Sequence, residues 1–107
     1  MDNNRFEELH VNEIECFIAD NNKVFALYNK NKYTVKYKLY EIYELFNDNF
    51  IYINQSCLIN VSKIKCFDVN FGGALKVILK SGYSDYVSRR QVKNVKERLG
   101  IINKKSK

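Results

Sequence analysis

Phe50-Ile51-Tyr52-Ile53-Asn54-Gln55-Ser56-Cys57-Leu58-Ile59-Asn60 sets two short apolar runs around a polar triplet. Runs this short, rich in Ile and aromatic residues and bounded by turn formers, read as strands rather than helix. Working downstream, Lys63 to Asn70 alternates apolar with polar residues, and Gly72-Gly73 is a turn signal. Ala74 to Leu79 is expected to pair back across it as a hairpin. Ser81-Gly82 turns the chain again, and Tyr86-Val87 leads into a helix. Upstream, Glu13 to Ile18 and Lys23 to Tyr28 read as strands around Asp20-Asn21-Asn22, and Tyr33 to Tyr37 follows the turn Asn29-Lys30-Asn31. Leu39, Ile42, Leu45 and Phe46 have helical spacing, and Asn47-Asp48-Asn49 stops that helix.

The helix expected over residues 89–99 has the strongest local signals. Ser88 with Gln91 three residues on forms a capping box, and Gly100 suits the position just past the end. Val92, Val95 and Leu99 make one apolar stripe, with Arg90, Lys93, Asn94 and Glu97 opposite. Arg89 and Arg90 lie in the first turn, where the helix dipole favours acids. An anion at that end would relieve the cost, because helix N-termini bind phosphate and arginine bonds it bidentately. The alternative is a solvated helix end.

At 107 residues the chain holds one domain, and 46% hydrophobic residues with eight Tyr and seven Phe fit a globular fold. No apolar run approaches the ~20 residues of a membrane span, and the first residues lack the apolar region of a secretory signal. Cys16, Cys57 and Cys66 are odd in number and set in apolar segments, so they are expected as buried thiols in a reducing cytoplasm. With His10 the single histidine and no paired cysteines, no metal site is expected. The charge is lopsided: residues 1–50 carry net −3 and residues 51–107 net +9, making the overall +6. A basic half points toward a polyanion.

Catalysis finds little support, so no enzyme and no cofactor are expected. His10 is the only imidazole, and Glu7/Glu8 and Glu41/Glu44 fall on a lead segment and a helix face. Gly72-Gly73 has no following Lys-Ser/Thr and is only a turn. Three polar segments matter more: Asn21-Asn22-Lys23, Asn54-Gln55-Ser56, and Ser88-Arg89-Arg90 with Lys93. Asn and Gln pair with adenine edges and Arg with guanine, while Lys and Ser hold phosphates. Nothing in their spacing puts the three on one face.

Extended to Val61-Ser62-Lys63-Ile64, the opening stretch resembles the signature of LytTR-type DNA-binding domains, in which an aromatic residue precedes a polar group, an apolar-apolar-Asn triplet and Lys-Ile. Leu79-Lys80-Ser81-Gly82 followed by Val87-Ser88-Arg89-Arg90 resembles the family's second block, and Asn12 to Ile18 its first strand. The resemblance implies a mostly β fold, an elongated stack of small antiparallel sheets with two short helices. It implies a domain over residues 10–101, with a lead at 1–9 and a basic tail at 102–107. It also implies double-stranded DNA as partner, bound through loops in the major groove, with direct-repeat promoter sites and a protein that is a monomer or weak dimer, paired on DNA. Carried over, the base-reading residues are Asn22 or Lys23, then Gln55, then Arg90, with Asn54, Ser56, Arg89 and Lys93 as flanking or phosphate contacts. Where the family usually has Arg, His and a basic or Asn residue, this chain has Tyr52, Asn54 and Gln55, all uncharged. Arg89 and Arg90 are then expected to carry more of the binding.

Family members often follow a receiver domain, for which this chain has no room, so a stand-alone bacterial regulator or an excised domain is expected. Met1 and the short acidic lead favour the former. A competing expectation is a protein-interaction module on the same fold with weak or nonspecific nucleic-acid binding. A further one is nonspecific nucleic-acid or membrane-surface association through the basic tail Asn103-Lys104-Lys105-Ser106-Lys107.

Overall fold

The computed structural model describes residues 10–70 and 72–100; the expected lead, the end of the expected domain and the basic tail lie outside them. Eight strands and two helices follow in the order β1 (Cys16–Asp20), β2 (Lys23–Tyr28), β3 (Asn31–Val35), α1 (Leu39–Phe46), β4 (Phe50–Asn54), β5 (Cys57–Asn60), β6 (Ile64–Val69), β7 (Leu75–Leu79), β8 (Ser84–Val87) and α2 (Arg89–Leu99). They form a five-stranded sheet, β3-β2-β1-β5-β4, and a three-stranded sheet, β6-β7-β8, with antiparallel pairing throughout. The molecule measures 54 × 24 × 23 Å. The mostly β class, the small antiparallel sheets and the two helices match the reading of the sequence.

The two opening hairpins are made by their turn residues. Asp20 pairs with Lys23 and Tyr28 with Asn31, leaving two-residue turns. Asn21 and Asn22 have φ of 52° and 65°, and Asn29 and Lys30 have 53° and 66°. Two consecutive positive φ values define the turn whose twist matches paired strands, and Asn tolerates that region best among residues with a side chain.

The five-stranded sheet is covered on both faces, which explains why its strands read as nearly continuous apolar runs. On one face Phe17, Val24, Ala26, Phe50 and Leu58 pack under Leu39 and Ile42 of α1. On the other, Cys16, Ile51, Ile53, Cys57 and Ile59 meet Leu75, Val77, Leu79 and Val87 of the second sheet and Val95 of α2. Successive residues of β4 and β5 thus serve alternate cores. Each fully buried aliphatic or aromatic side chain contributes about 1.5–3 kcal/mol. Asn60, 1% exposed, closes the end of β5. Its amide donates to the carbonyls of Asn12 (3.0 Å) and Ile14 (2.8 Å) and accepts from the backbone N–H and hydroxyl of Ser62 (both 2.9 Å). All four of its hydrogen-bonding positions are filled. The Asn of the signature triplet is therefore a structural tie.

Three expectations are corrected. Cys66 is exposed, whereas Cys16 and Cys57 are buried. The register of β6 slips between Ile64 and Cys66. The extra residue, Lys65, reverses the alternation, so Phe67 packs against the core and Cys66 faces outward. In α1 the buried stripe runs through Leu39, Ile42, Tyr43 and Phe46, the i, i+3, i+4, i+7 spacing, and Leu45 is 68% exposed. Finally, the Ser88–Gln91 capping box does not form, since Ser88 makes no side-chain cap bond. The helix starts there nonetheless, because the Ser88 carbonyl accepts from the N–H groups of Gln91 (2.9 Å) and Val92 (3.1 Å). Gly100, at φ 67°, ends α2 in the left-handed conformation as expected.

Candidate nucleic-acid interface

The three polar segments singled out in the sequence are brought together by hydrogen bonds to the β4–β5 hairpin. The Ala19 N–H, at the base of the β1–β2 turn, donates to the Ser56 carbonyl at 2.9 Å. On the other flank, the Ser88 N–H donates to the Ile53 carbonyl at 2.8 Å, seating the start of α2 beside the hairpin. The turn carrying Gln55 therefore lies between Asn22-Lys23 and Arg89-Arg90.

Asn54 is the brace of this arrangement. Its side-chain oxygen accepts from the Ser56 N–H at 2.9 Å, shaping the turn, while its amide nitrogen donates to the Tyr86 carbonyl (2.9 Å) and the Asp85 carboxylate (3.2 Å). Both donors are thus spent inside the molecule, joining the first sheet to β8. Gln55 and Ser56, one and two residues on, are exposed, as are Asn22 and Lys23 on one side and Arg89, Arg90 and Lys93 on the other. Asn54 itself is half-buried.

Electrostatics separates the flanks from the centre. The first turn of α2 contains no acid, so Arg89 and Arg90 add to the positive end of the helix dipole. Val95 is fully buried and Val92 and Leu99 pack beside it, fixing the opposite face to solvent. Arg98 behaves differently: its guanidinium donates to the carbonyls of Asn47 and Phe50, where α1 ends and β4 begins. A cation on those carbonyls complements the negative end of α1.

An open cleft beside the hairpin is lined by Asn22, Lys23, Lys38, Tyr40, Tyr52 and Gln55, so the first two polar segments share one concavity. An adjoining cleft shares Asn22, Lys23 and Lys38 and adds Lys36 and Tyr37. Burial, and secondarily the neighbouring Tyr43, push the Tyr52 phenol up, so it stays protonated and can donate. Lys36, Tyr37, Lys38 and Tyr40 were not among the expected site residues. Their sequence signal is the alternation of Lys and Tyr immediately before an apolar helix stripe, which reads equally well as a solvated connector.

Away from this end, the hydrogen bond with Cys57, together with burial, raises the Cys16 thiol far above its usual range. Burial and the same thiols raise Tyr83. These groups remain protonated and belong to the core. Among the described residues no cluster of His, Cys, Asp or Glu could hold a metal ion, and no helix is long and apolar enough to cross a membrane.

The small two-sheet β fold thus sets exposed polar turns beside the basic start of α2. The chain belongs to the LytTr DNA-binding domain family, whose pattern it matches over residues 4–100. It is 31% identical over 93 residues to an uncharacterized HTH-type transcriptional regulator of Staphylococcus aureus strain bovine RF122 / ET3-1, covering 87% of this chain and 63% of the relative. The counterpart in strain NCTC 8325 / PS 47 matches to the same extent. The chain thus spans under two thirds of those relatives' length. A solved LytTr DNA-binding domain from Bacillus cereus shares the fold, with a TM-score of 0.77 at 23% identity and 83% coverage of each chain. In the present chain five strands separate α1 from α2, so the two described helices do not form a helix-turn-helix.

Proposed function

We propose that the chain is a sequence-specific module for double-stranded DNA that acts in transcriptional regulation in a bacterial cytoplasm. It would dock the end bearing the β4–β5 hairpin against the duplex and insert loop side chains into the major groove. Gln55 and either Asn22 or Lys23 would read bases from the turns, and Arg90 from the start of α2. Ser56, Arg89 and Lys93 would hold phosphates, and Asn54 would act by fixing the hairpin. The observation that carries this reading is the pinning of three exposed polar segments to one hairpin by the Ala19–Ser56, Ser88–Ile53 and Asn54–Tyr86 bonds. The net charge of +6 supports docking on phosphates, and a few side chains on base edges would supply the preference. Membership of the family and the name of the staphylococcal relative support the same reading. Two copies could sit on direct repeats spaced by whole turns of B-DNA, roughly 34 Å each. We take the protein to be a monomer or weak dimer before it meets DNA.

The test is selection of bound duplexes from a random pool. The wild-type protein is expected to enrich one motif, and Gln55→Ala to erase the preference at one base pair while leaving the rest. A pool that stays random after several rounds, or binding that needs no duplex, would defeat sequence-specific recognition.

A further inference from the structure

Gln55 sits in the middle of the docking end and carries no charge, yet affinity for DNA is dominated by phosphate neutralisation. Besides Lys23, cations from the segment between β3 and α1 line the clefts on one side of it. Lys38 lines the same cleft as Gln55, and Lys36 lines the adjoining cleft, with Lys23 common to both. No acidic side chain lines either cleft among the described residues. The acids close by are Asp20, paired with Lys23 across the turn, and Glu41, whose carboxylate is engaged by the Lys38 N–H.

The connector is also fixed in place. Leu39, 7% exposed, is anchored in the core under α1. The Lys38 N–H donates to the Glu41 carboxylate at 2.8 Å, and the Lys38 carbonyl accepts from the N–H groups of Glu41 (3.0 Å) and Ile42 (3.1 Å). Flanking this locked backbone, Tyr37 and Tyr40 are each 59% exposed, although most of the other aromatic residues described pack against neighbours. Exposed tyrosines beside lysines combine a hydroxyl donor for phosphate with an apolar ring for sugar.

Resting on the DNA-binding reading above, we propose that the connector Lys36-Tyr37-Lys38-Leu39-Tyr40 is a contact to the phosphodiester backbone of the bound duplex, next to the turns that carry Asn22 and Gln55. Lys36 and Lys38 neutralise phosphates, and Tyr37 and Tyr40 flank them. The connector supplies the positive charge that the β4–β5 turn lacks and leaves base preference to the turns.

The experiment compares the salt dependence of duplex binding for the wild type, Lys36→Ala/Lys38→Ala and Lys36→Arg/Lys38→Arg. The alanine pair should lower the slope of log affinity against log salt by about two units, roughly one per phosphate contact. The loss should be equal on a selected duplex and a random one, and the arginine pair should restore the slope. Thermal unfolding controls for the fold, since alanine keeps the Lys38 backbone bonds. If the alanine pair is misfolded, Lys36→Gln alone should still lower the slope by about one unit. A folded variant with an unchanged slope overturns the connector as a contact while the wider reading stands. Failure of the wild type to bind any duplex at low salt overturns both.

Discussion

The two ends of α2 carry the same residue type in opposite employment. At its start, Arg89 and Arg90 are exposed, with no acid in the first turn to hold them. At its end, Arg98 reaches across to the carbonyls of Asn47 and Phe50 and ties α2 to the junction of α1 and β4. Composition alone counts three arginines in one basic segment. Their surroundings divide them into two that are exposed at the helix start and one that is spent on the fold. Charge on a helix indicates an interface only where the fold has not already used it.

The comparison can be broken from beneath by removing the support of the helix start. Asn54→Ala deletes the bonds to Ser56, Asp85 and Tyr86, and we expect it to cost about 1–3 kcal/mol of stability. Because it loosens the hairpin and the adjoining helix start together, binding should weaken on every duplex tested. Thermal unfolding and titration check the two effects, and a variant of normal stability would show that the brace is dispensable. A smaller effect is expected at the far end of the helix. Arg98→Ala should cost roughly 0.5–1.5 kcal/mol in unfolding free energy, with no change in base preference. A loss of preference without a loss of stability would place Arg98 in the interface instead.

Much of the architecture is legible in the sequence because it is local. The Asn21-Asn22 and Gly72-Gly73 turns, the Val92-Val95-Leu99 stripe and the Gly100 stop all depend on neighbours within a few residues, and all took the expected form. The failures come from partners distant in the chain or from a break in alternation. Ser88 does not cap through its side chain, although its N–H and carbonyl are both engaged in seating the helix. Cys66 turns outward because one extra residue in β6 shifts every later side chain to the other face. The three polar segments were recognisable by residue type. That they meet around one hairpin depends on bonds such as Asn54 to Tyr86, 32 residues apart, which no spacing rule encodes. The Lys36–Tyr40 connector carries no signal of its own for the same reason, since only folding sets Lys38 and Tyr40 in one cleft with Gln55.

The central claim is that the free arginine at the start of α2 reads a base. It is tested most directly by titrating wild type and Arg90→Ala against a selected duplex and a random duplex of equal length, at one fixed salt concentration. We predict that Arg90→Ala loses about 1–3 kcal/mol on the selected duplex and much less on the random one, with relaxed preference at a single base pair. Equal losses on both duplexes would contradict the account and reduce Arg90 to a phosphate contact.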